Sequence, residues 1–296
     1  MRYRIVVNPA AGRGAAGKRW PRVAAELDRL GVDYEAYFTT GPGDATRVAA
    51  RAGDEGFDAV VAAGGDGTLS ETVNGLVGTG QPLGVLPMGS GNDFARTAGL
   101  DLDPVAAARL LARPVLRSLD LGRVDGRFFI NAASAGMDGE IARLMNEDLR
   151  WLRGTPAYVV ATFSTLMRFR PARIVLELDG EERELLATLV AVGNGRYYGG
   201  GMMITPRAEL DDGLFEVCVL GPMGRLEFVR AFPLVFRGEH LSHPKITMYR
   251  ARRVALRMAE GEPFTVQADG EIIGRLPQEF VVEPAALSLL AGPGRE

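Results

Sequence analysis

Over about the first 120 residues, short apolar runs alternate with segments whose apolar residues recur at helical spacing. The runs fall at 4–7, 34–38, 57–63 and 83–86. Between them, Trp20, Val23, Leu27 and Leu30 form one helical stripe, Val48 and Ala52 a second behind a cap at Asp44, and Leu69, Val73, Leu76 and Val77 a third. Strand and helix in strict alternation build βαβ units, so this part predicts a parallel sheet with helices on both faces, a Rossmann-like three-layer α/β/α domain. The chain has 296 residues, more than one core usually serves, and its texture changes after about Leu121. Strand-like runs then dominate, at 127–133, 174–178, 185–192, 215–220, 245–249, 254–258, 264–268 and 280–283. Turn signals such as Asp179-Gly180 and Asp269-Gly270 separate them. The expectation is an α/β domain over 1–121 and a mostly antiparallel β-sandwich domain over 122–285, with helical insertions near 155–168 and 224–236.

Composition narrows the function classes. Thirty-four basic residues against 37 acidic ones leave a net charge of −3, which offers no electrostatic case for a nucleic-acid partner. Cys218 is the only cysteine, so there is neither an intramolecular disulfide nor a thiolate metal site. The apolar part of the first nine residues is too short for a signal peptide. No stretch approaches the ~20 apolar residues of a membrane-spanning helix.

Three loops follow predicted strands of the first domain: Asn8-Pro9-Ala10-Ala11-Gly12-Arg13-Gly14, Gly64-Gly65-Asp66-Gly67-Thr68 and Gly89-Ser90-Gly91-Asn92-Asp93. Ligands of open parallel sheets bind beyond the carboxyl ends of the strands, where glycines let backbone N–H groups approach phosphate oxygens. Each loop taken singly also reads as a tight turn, whereas three at one sheet edge point to a nucleotide. No P-loop is present. Asp66 would repel phosphate unless a cation lay between them, so its natural role is to contact bound Mg²⁺. An Asx turn capping the next helix is compatible with that role.

Two acidic motifs lie in the second domain. Asp211-Asp212-Gly213 suits either a hard cation or a plain turn. Asp269-Gly270-Glu271 places two carboxylates beside a hairpin turn, and phosphoryl transfer to an alcohol needs a carboxylate to receive the hydroxyl proton. Asp120, at the end of the first domain, reads either as an acid facing a cleft or as a solvent-facing strand end.

In this order, Asn8-Pro9 with Gly12, Gly64-Gly65-Asp66-Gly67-Thr68-Leu69, Gly89-Ser90-Gly91-Asn92-Asp93-Phe94-Ala95-Arg96, Asp211-Asp212-Gly213 and Asp269-Gly270-Glu271 resemble the diacylglycerol kinase catalytic family, and within it the bacterial diacylglycerol-kinase-like lipid kinases. Sphingosine and ceramide kinases are more distant relatives. The resemblance runs from Asn8 to about Leu290. It implies two domains with the active site in the cleft, and a C-terminal segment from about 286 that returns to the first domain. It implies ATP as phosphoryl donor, contacted by Asn8, Pro9, Ala10, Ala11 and Gly12, by Gly64, Gly65, Asp66, Gly67, Thr68, Leu69 and Ser70, by Ser90 and Asn92, and by Thr39 or Thr40. Asp66 would lie near the catalytic metal, with Asp120 in its water network. Asp212, with the backbone carbonyls of Glu209 and Leu214, would form a second Mg²⁺ site. Glu271 and Asp269 match the proposed proton acceptors, Glu271 being preferred. Ser90 and Ser70 stand where relatives often have Thr and Asn. The substrate would be a lipid hydroxyl, the location cytoplasmic with transient contact at the membrane surface, and a homodimer is left open.

Two apolar segments are candidates for an acyl-chain groove, and equally for core. One is 151–170, with Trp151, Phe163, Met167 and Phe169 among Arg150, Arg153, Arg168 and Arg170; the other is 226–236, with Phe228, Val229, Phe232, Leu234, Val235 and Phe236. The rival readings are a soluble NAD-kinase-like enzyme, which shares a glycine-rich Gly-Asp-Gly element, and a non-catalytic lipid- or nucleotide-binding protein.

Overall fold

The computed structural model describes residues 1–137, 139–141, 165 and 169–292. They divide into two compact units, Met1–Leu121 with the described residues from Pro284 onward, and Gly122–Glu283.

In the first unit the four apolar runs form β1 (Arg2–Val7), β2 (Asp33–Phe38), β3 (Ala59–Gly64) and β4 (Leu83–Pro87). All pair in parallel, in the order β2-β1-β3-β4. The central β3 is buried along its whole length, which is why it reads as an unbroken apolar run. Helix α1 (Ala15–Arg29) buries Ala16, Trp20, Val23 and Leu27 against Tyr3, Ile5, Val7, Val61 and Leu290. Helices α2 (Asp44–Arg51) and α3 (Asp66–Leu76) pack together at Gly75, where an added Cβ would strike the Thr46 carbonyl. Two short helices, α4 (Asp93–Thr97) and α5 (Pro104–Ala108), follow β4, and α5 joins the core beneath α1 through Ala107 and Ala108. Strand β5 (Val115–Val124) then leads out of this unit.

The second unit is an antiparallel sandwich. One sheet carries β7 (Ala132–Gly136), β10 (Leu189–Gly193), β11 (Phe215–Leu220), β12 (Ile246–Ala251), β14 (Thr265–Ala268) and β15 (Glu271–Arg275) in the order β12-β11-β10-β7-β14-β15. The facing layer holds β8 (Ala172–Leu178), β9 (Glu181–Ala187), β13 (Arg253–Met258) and the first residues of β16 (Gln278–Ala291). Val124, Ala133, Ile174, Leu176, Val190, Val217, Val254, Val266 and Phe280 fill the core between them, and Phe129 stacks on Phe215 at 5.6 Å. Later along β16, Leu289 pairs in parallel with Leu83 of the first unit's own sheet.

Two expected strands divide. The run 127–133 becomes β6 (Arg127–Phe129) and β7, because the N–H groups of Ile130, Asn131 and Ala132 turn to a carboxylate instead of a neighbouring strand. The run 185–192 divides at Thr188, whose N–H reaches the Leu220 carbonyl at 2.7 Å and whose hydroxyl reaches Gly221 at 3.0 Å. The chain changes sheets there, and periodicity within one apolar run carries no sign of it. The expected helix at 224–236 is α6 (Arg225–Ala231) followed by a 3₁₀ segment, Phe232–Arg237. Apart from Thr165, Phe169 and Arg170, the apolar segment 151–170 lies outside the described residues.

Candidate active site

The three glycine-rich loops meet by backbone contact. Met88 N–H donates to the Gly64 carbonyl at 2.8 Å, extending the β3–β4 ladder into the loops. Gly65 and Gly89 lie so close that a Cβ on Gly89 would overlap the Gly65 Cα, and a Cβ on Gly12 would sit 2.8 Å from the Met88 carbonyl oxygen. Side chains complete the assembly. Asn8 Nδ2 donates to Thr68 Oγ1 at 2.9 Å, while Asn8 Oδ1 accepts from Ala10 N–H at 3.0 Å. Asn92, with φ 54°, closes its own loop by accepting from Gly89 N–H at 2.9 Å and donating to the Gly89 carbonyl at 3.1 Å. Asp66 Oδ1 accepts from Asp93 N–H at 2.8 Å, joining the second loop to the third. Surrounding protein pushes the Asp66 carboxyl above the ordinary carboxylate range, against the pull of the N–H groups of Phe94, Asp93 and Asn92.

Asp66 and Gly67 open α3, and no side chain caps that helix. Its first backbone bond runs from Leu69 N–H to the Gly65 carbonyl; the Asp66 N–H turns to its own carboxylate, and the N–H groups of Gly67 and Thr68 have no intrahelical acceptor. Gly67 is exposed, and a Cβ there would meet nothing within 4 Å. Packing gives no reason for that glycine; close approach of a ligand would.

The other donor-side residues separate into available and committed groups. Thr40 gives both its N–H and its hydroxyl to Asp44 Oδ2, at 2.7 and 2.8 Å, and these bonds hold the Asp44 carboxyl far below the usual range. Thr39 makes only a backbone bond, to Val7 at 2.9 Å, which leaves its hydroxyl the more available of the two. Ser90 is exposed. Leu69 and Ser70 are buried at 3% and 1% exposure, so they support the loop from behind. Asp120 is buried on β5 and accepts from Ala285 N–H at 2.7 Å, so the bland reading of a solvent-facing strand end does not hold.

In the second unit the Asp269–Glu271 motif is a hairpin turn with φ 47° at Asp269 and 86° at Gly270, as a type I′ turn requires. The two carboxylates differ sharply. Asp269 accepts three backbone N–H groups, from Ile130 at 2.8 Å, Asn131 at 3.0 Å and Ala132 at 3.2 Å. Glu271 stands partly exposed at the start of β15, in an ion pair with Arg127 at 2.6 Å. Nothing in the sequence flags Arg127 as its partner, because the two residues meet only through the sheet.

Asp212 Oδ1 accepts from Leu214 N–H at 3.0 Å, and its other oxygen pairs with the Arg250 guanidinium, which also holds Glu216 at 3.0 Å. Among the described residues no cluster of three His, Cys, Asp or Glu side chains is arranged to hold a metal ion. Asp66 fits Mg²⁺ in a different manner, as a single loop carboxylate of the kind that shares the ion with substrate phosphates. Asp212 fits less well, since Arg250 already neutralises it.

An apolar pocket lies between β10–β11 and α6 with its 3₁₀ extension, lined by Leu189, Met202, Phe228, Phe232, Val235 and His240 among others. His240 is buried; its Nε2 lies 3.0 Å from the Ile204 carbonyl, which fixes Nε2 as the protonated nitrogen and leaves Nδ1 without a partner.

Residues 2–124 match the diacylglycerol kinase catalytic domain, and residues 131–291 match the YegS C-terminal NAD kinase beta sandwich-like domain. Over 285 residues the chain is 35% identical to a diacylglycerol kinase of Bacillus subtilis (strain 168), covering 95% of this chain and 93% of that one. The chain belongs to the diacylglycerol kinase family. A diacylglycerol kinase of Mycobacterium tuberculosis (strain ATCC 25618 / H37Rv) is 36% identical over 293 residues, covering 96% and 93% of the two chains. The crystal structure of a diacylglycerol kinase from Bacillus anthracis str. Sterne shares the fold, with a TM-score of 0.80 at 24% identity over 99% of this chain and 97% of that one. The mixed α/β architecture and antiparallel sandwich are therefore those of a diacylglycerol-kinase-like lipid kinase.

Proposed function

We propose that this family member transfers the γ-phosphoryl group of ATP to the hydroxyl of a diacylglycerol-like lipid. The observation that carries the donor half is the junction of the three loops at the carboxyl ends of β1, β3 and β4. There the opening N–H groups of α3 bind phosphate oxygens, Thr39 and Ser90 supply hydroxyls, and Asn8 holds Thr68 in place. Mg²⁺, when bound with the nucleotide, neutralises developing phosphate charge, and Asp66 is the residue that would hold it.

On the acceptor side Glu271 takes the hydroxyl proton. Its carboxylate is paired with the Arg127 guanidinium, whereas the Asp269 oxygens are engaged by backbone N–H groups. Asp269 is a positioning residue that holds the β6–β7 break against the hairpin carrying Glu271. The apolar pocket beneath α6 receives acyl carbons. A second ion at Asp212, with the carbonyls of Glu209 and Leu214, would have to displace Arg250.

The test is transfer of labelled phosphate from ATP with Mg²⁺ into diacylglycerol, monoacylglycerol, phosphatidylglycerol, sphingosine and ceramide in mixed micelles, with NAD as the soluble control. Label in diacylglycerol is the expected result. Label in NAD alone would overturn the lipid reading, and no label in any acceptor would favour a binding protein.

A further inference from the structure

His240 places a hydrogen-bonding nitrogen on the wall of an apolar pocket. Of the described residues that line this pocket, only Tyr198, Cys218 and His240 carry a hydroxyl, a thiol or a nitrogen in the side chain. The imidazole is 2% exposed, and burial holds its pKa below the ordinary 6.5, so at neutral pH the ring is uncharged. Its Nε2–H is spent on the Ile204 carbonyl at 3.0 Å. A neutral ring with its proton on Nε2 carries a lone pair on Nδ1, and that atom has no partner among the described residues.

The ring is held in a rigid frame. His240 lies in a 3₁₀ turn, Glu239–Ser242, directly after Gly238, where an added Cβ would sit 2.9 Å from the Met203 sulfur and 3.1 Å from Pro206. Ile204, which anchors Nε2, is flanked by two fixed residues. Met203 N–H donates to the Val235 carbonyl at 2.9 Å, and the Thr205 hydroxyl donates to the Gly195 carbonyl at 2.8 Å. Buried acceptors without a partner are uncommon, and a fixed one on a pocket wall is a place where a ligand's donor fits. A trapped water is a poor substitute, because a buried water needs two to four polar partners and an apolar wall offers it few.

We propose that His240 determines lipid specificity: its Nδ1 accepts a hydrogen bond from a hydroxyl carried on the aliphatic chain that enters this pocket. The preferred acceptor lipid therefore has a hydroxylated chain in addition to the hydroxyl that is phosphorylated. This deepens the proposed function and rests on its reading that acyl carbons enter the pocket. The selection works against plain chains, since a site with a buried polar group discriminates against the analogue that leaves that group unpaired.

The test begins with three probes of equal chain length, octanol, octyl methyl ether and octane, titrated into the whole protein by calorimetry. Octanol should bind about tenfold more tightly than the ether, which can accept a hydrogen bond but not donate one. His240→Leu should bind the two alike. Because that variant leaves the Ile204 carbonyl without its donor and can fail to fold, wild type is also followed by nitrogen NMR with isotope-labelled histidine, His243→Gln identifying the two rings. The Nδ1 resonance of His240 should move upfield with octanol and stay in place with the ether. Equal binding of octanol and ether by wild type, or an unmoved resonance, overturns the proposal and leaves the acyl pocket standing. Binding of none of the three removes the acyl pocket and the proposal together. Turnover then tests the substrate claim, with diacylglycerols carrying one hydroxyl at successive positions of an acyl chain, each against its methyl ether. At one position the hydroxyl should raise kcat/KM about tenfold, and no gain at any position overturns His240 as a determinant of substrate choice. Inactivity on every lipid counts against the kinase reading alone, because the calorimetry and NMR results stand without turnover.

Discussion

At the scale of single residues the two carboxylates of the hairpin make separable predictions. Glu271→Gln keeps shape and removes only the capacity to accept a proton, so kcat should fall by about 10²–10⁴ with little change in KM for ATP or in melting temperature. Asp269→Asn places an amide where three N–H donors now converge, leaving donors facing donors. It should destabilise the second unit by about 1–3 kcal/mol, seen as a lower denaturant midpoint, together with any loss of activity. An Asp269→Asn protein with wild-type stability and no turnover would exchange the two roles. Cys218 offers no competing chemistry: burial pushes its thiol up to about 12, so it remains protonated at neutral pH.

At the scale of the element, the glycines of the loops divide by what surrounds them. A Cβ at Gly89 collides with the Gly65 backbone and lies 2.9 Å from Asn92 Oδ1, so Gly89→Ala should destabilise the first unit by about 1–3 kcal/mol. Gly67 has open space around it within α3, so Gly67→Ala should leave stability unchanged or raise it by up to about 1 kcal/mol. If the opening N–H groups of α3 hold phosphate, the same change should raise KM for ATP several-fold. An unchanged KM would remove that loop from the nucleotide site. Much of this architecture was legible in the chain, since uniform apolar runs such as 59–63 mark buried parallel strands and the turn pairs Asp179-Gly180 and Asp269-Gly270 mark hairpins. The motif residues were legible because backbone approach demands glycine at fixed places. The β6–β7 break and the sheet change at Thr188 were not, because each depends on a hydrogen-bond partner distant in sequence. The same limit hid the Arg127–Glu271 and Arg250–Asp212 pairs, and it left helical spacing unable to say which face of 226–236 is covered.

At the scale of the whole molecule, two histidines among 296 residues leave few groups that change charge between pH 7 and 5. Burial pushes the His240 pKa below its ordinary 6.5, although the bond to the Ile204 carbonyl partly opposes the shift. Well above the ordinary value, from about pH 8 upward, the ring is neutral in both folded and unfolded chains and contributes no pH dependence. As pH falls through the ordinary value, the unfolded chain takes up the proton first, so unfolding is favoured increasingly until the folded pKa is reached. Asp66 and Glu216 act in the opposite sense, because burial raises both and the folded chain binds their protons first. The sum in wild type therefore has mixed sign, but a difference curve isolates the histidine. His240→Gln retains a donor for the Ile204 carbonyl and has no titration in this range. The stability of wild type relative to His240→Gln, followed by urea unfolding, should be flat above about pH 8 and decline as pH falls through 6.5 by at most about 1.4 kcal/mol per pH unit. A flat difference down to pH 5 would mean that His240 is solvated in the folded state, and the cavity it lines would then be wet instead of apolar.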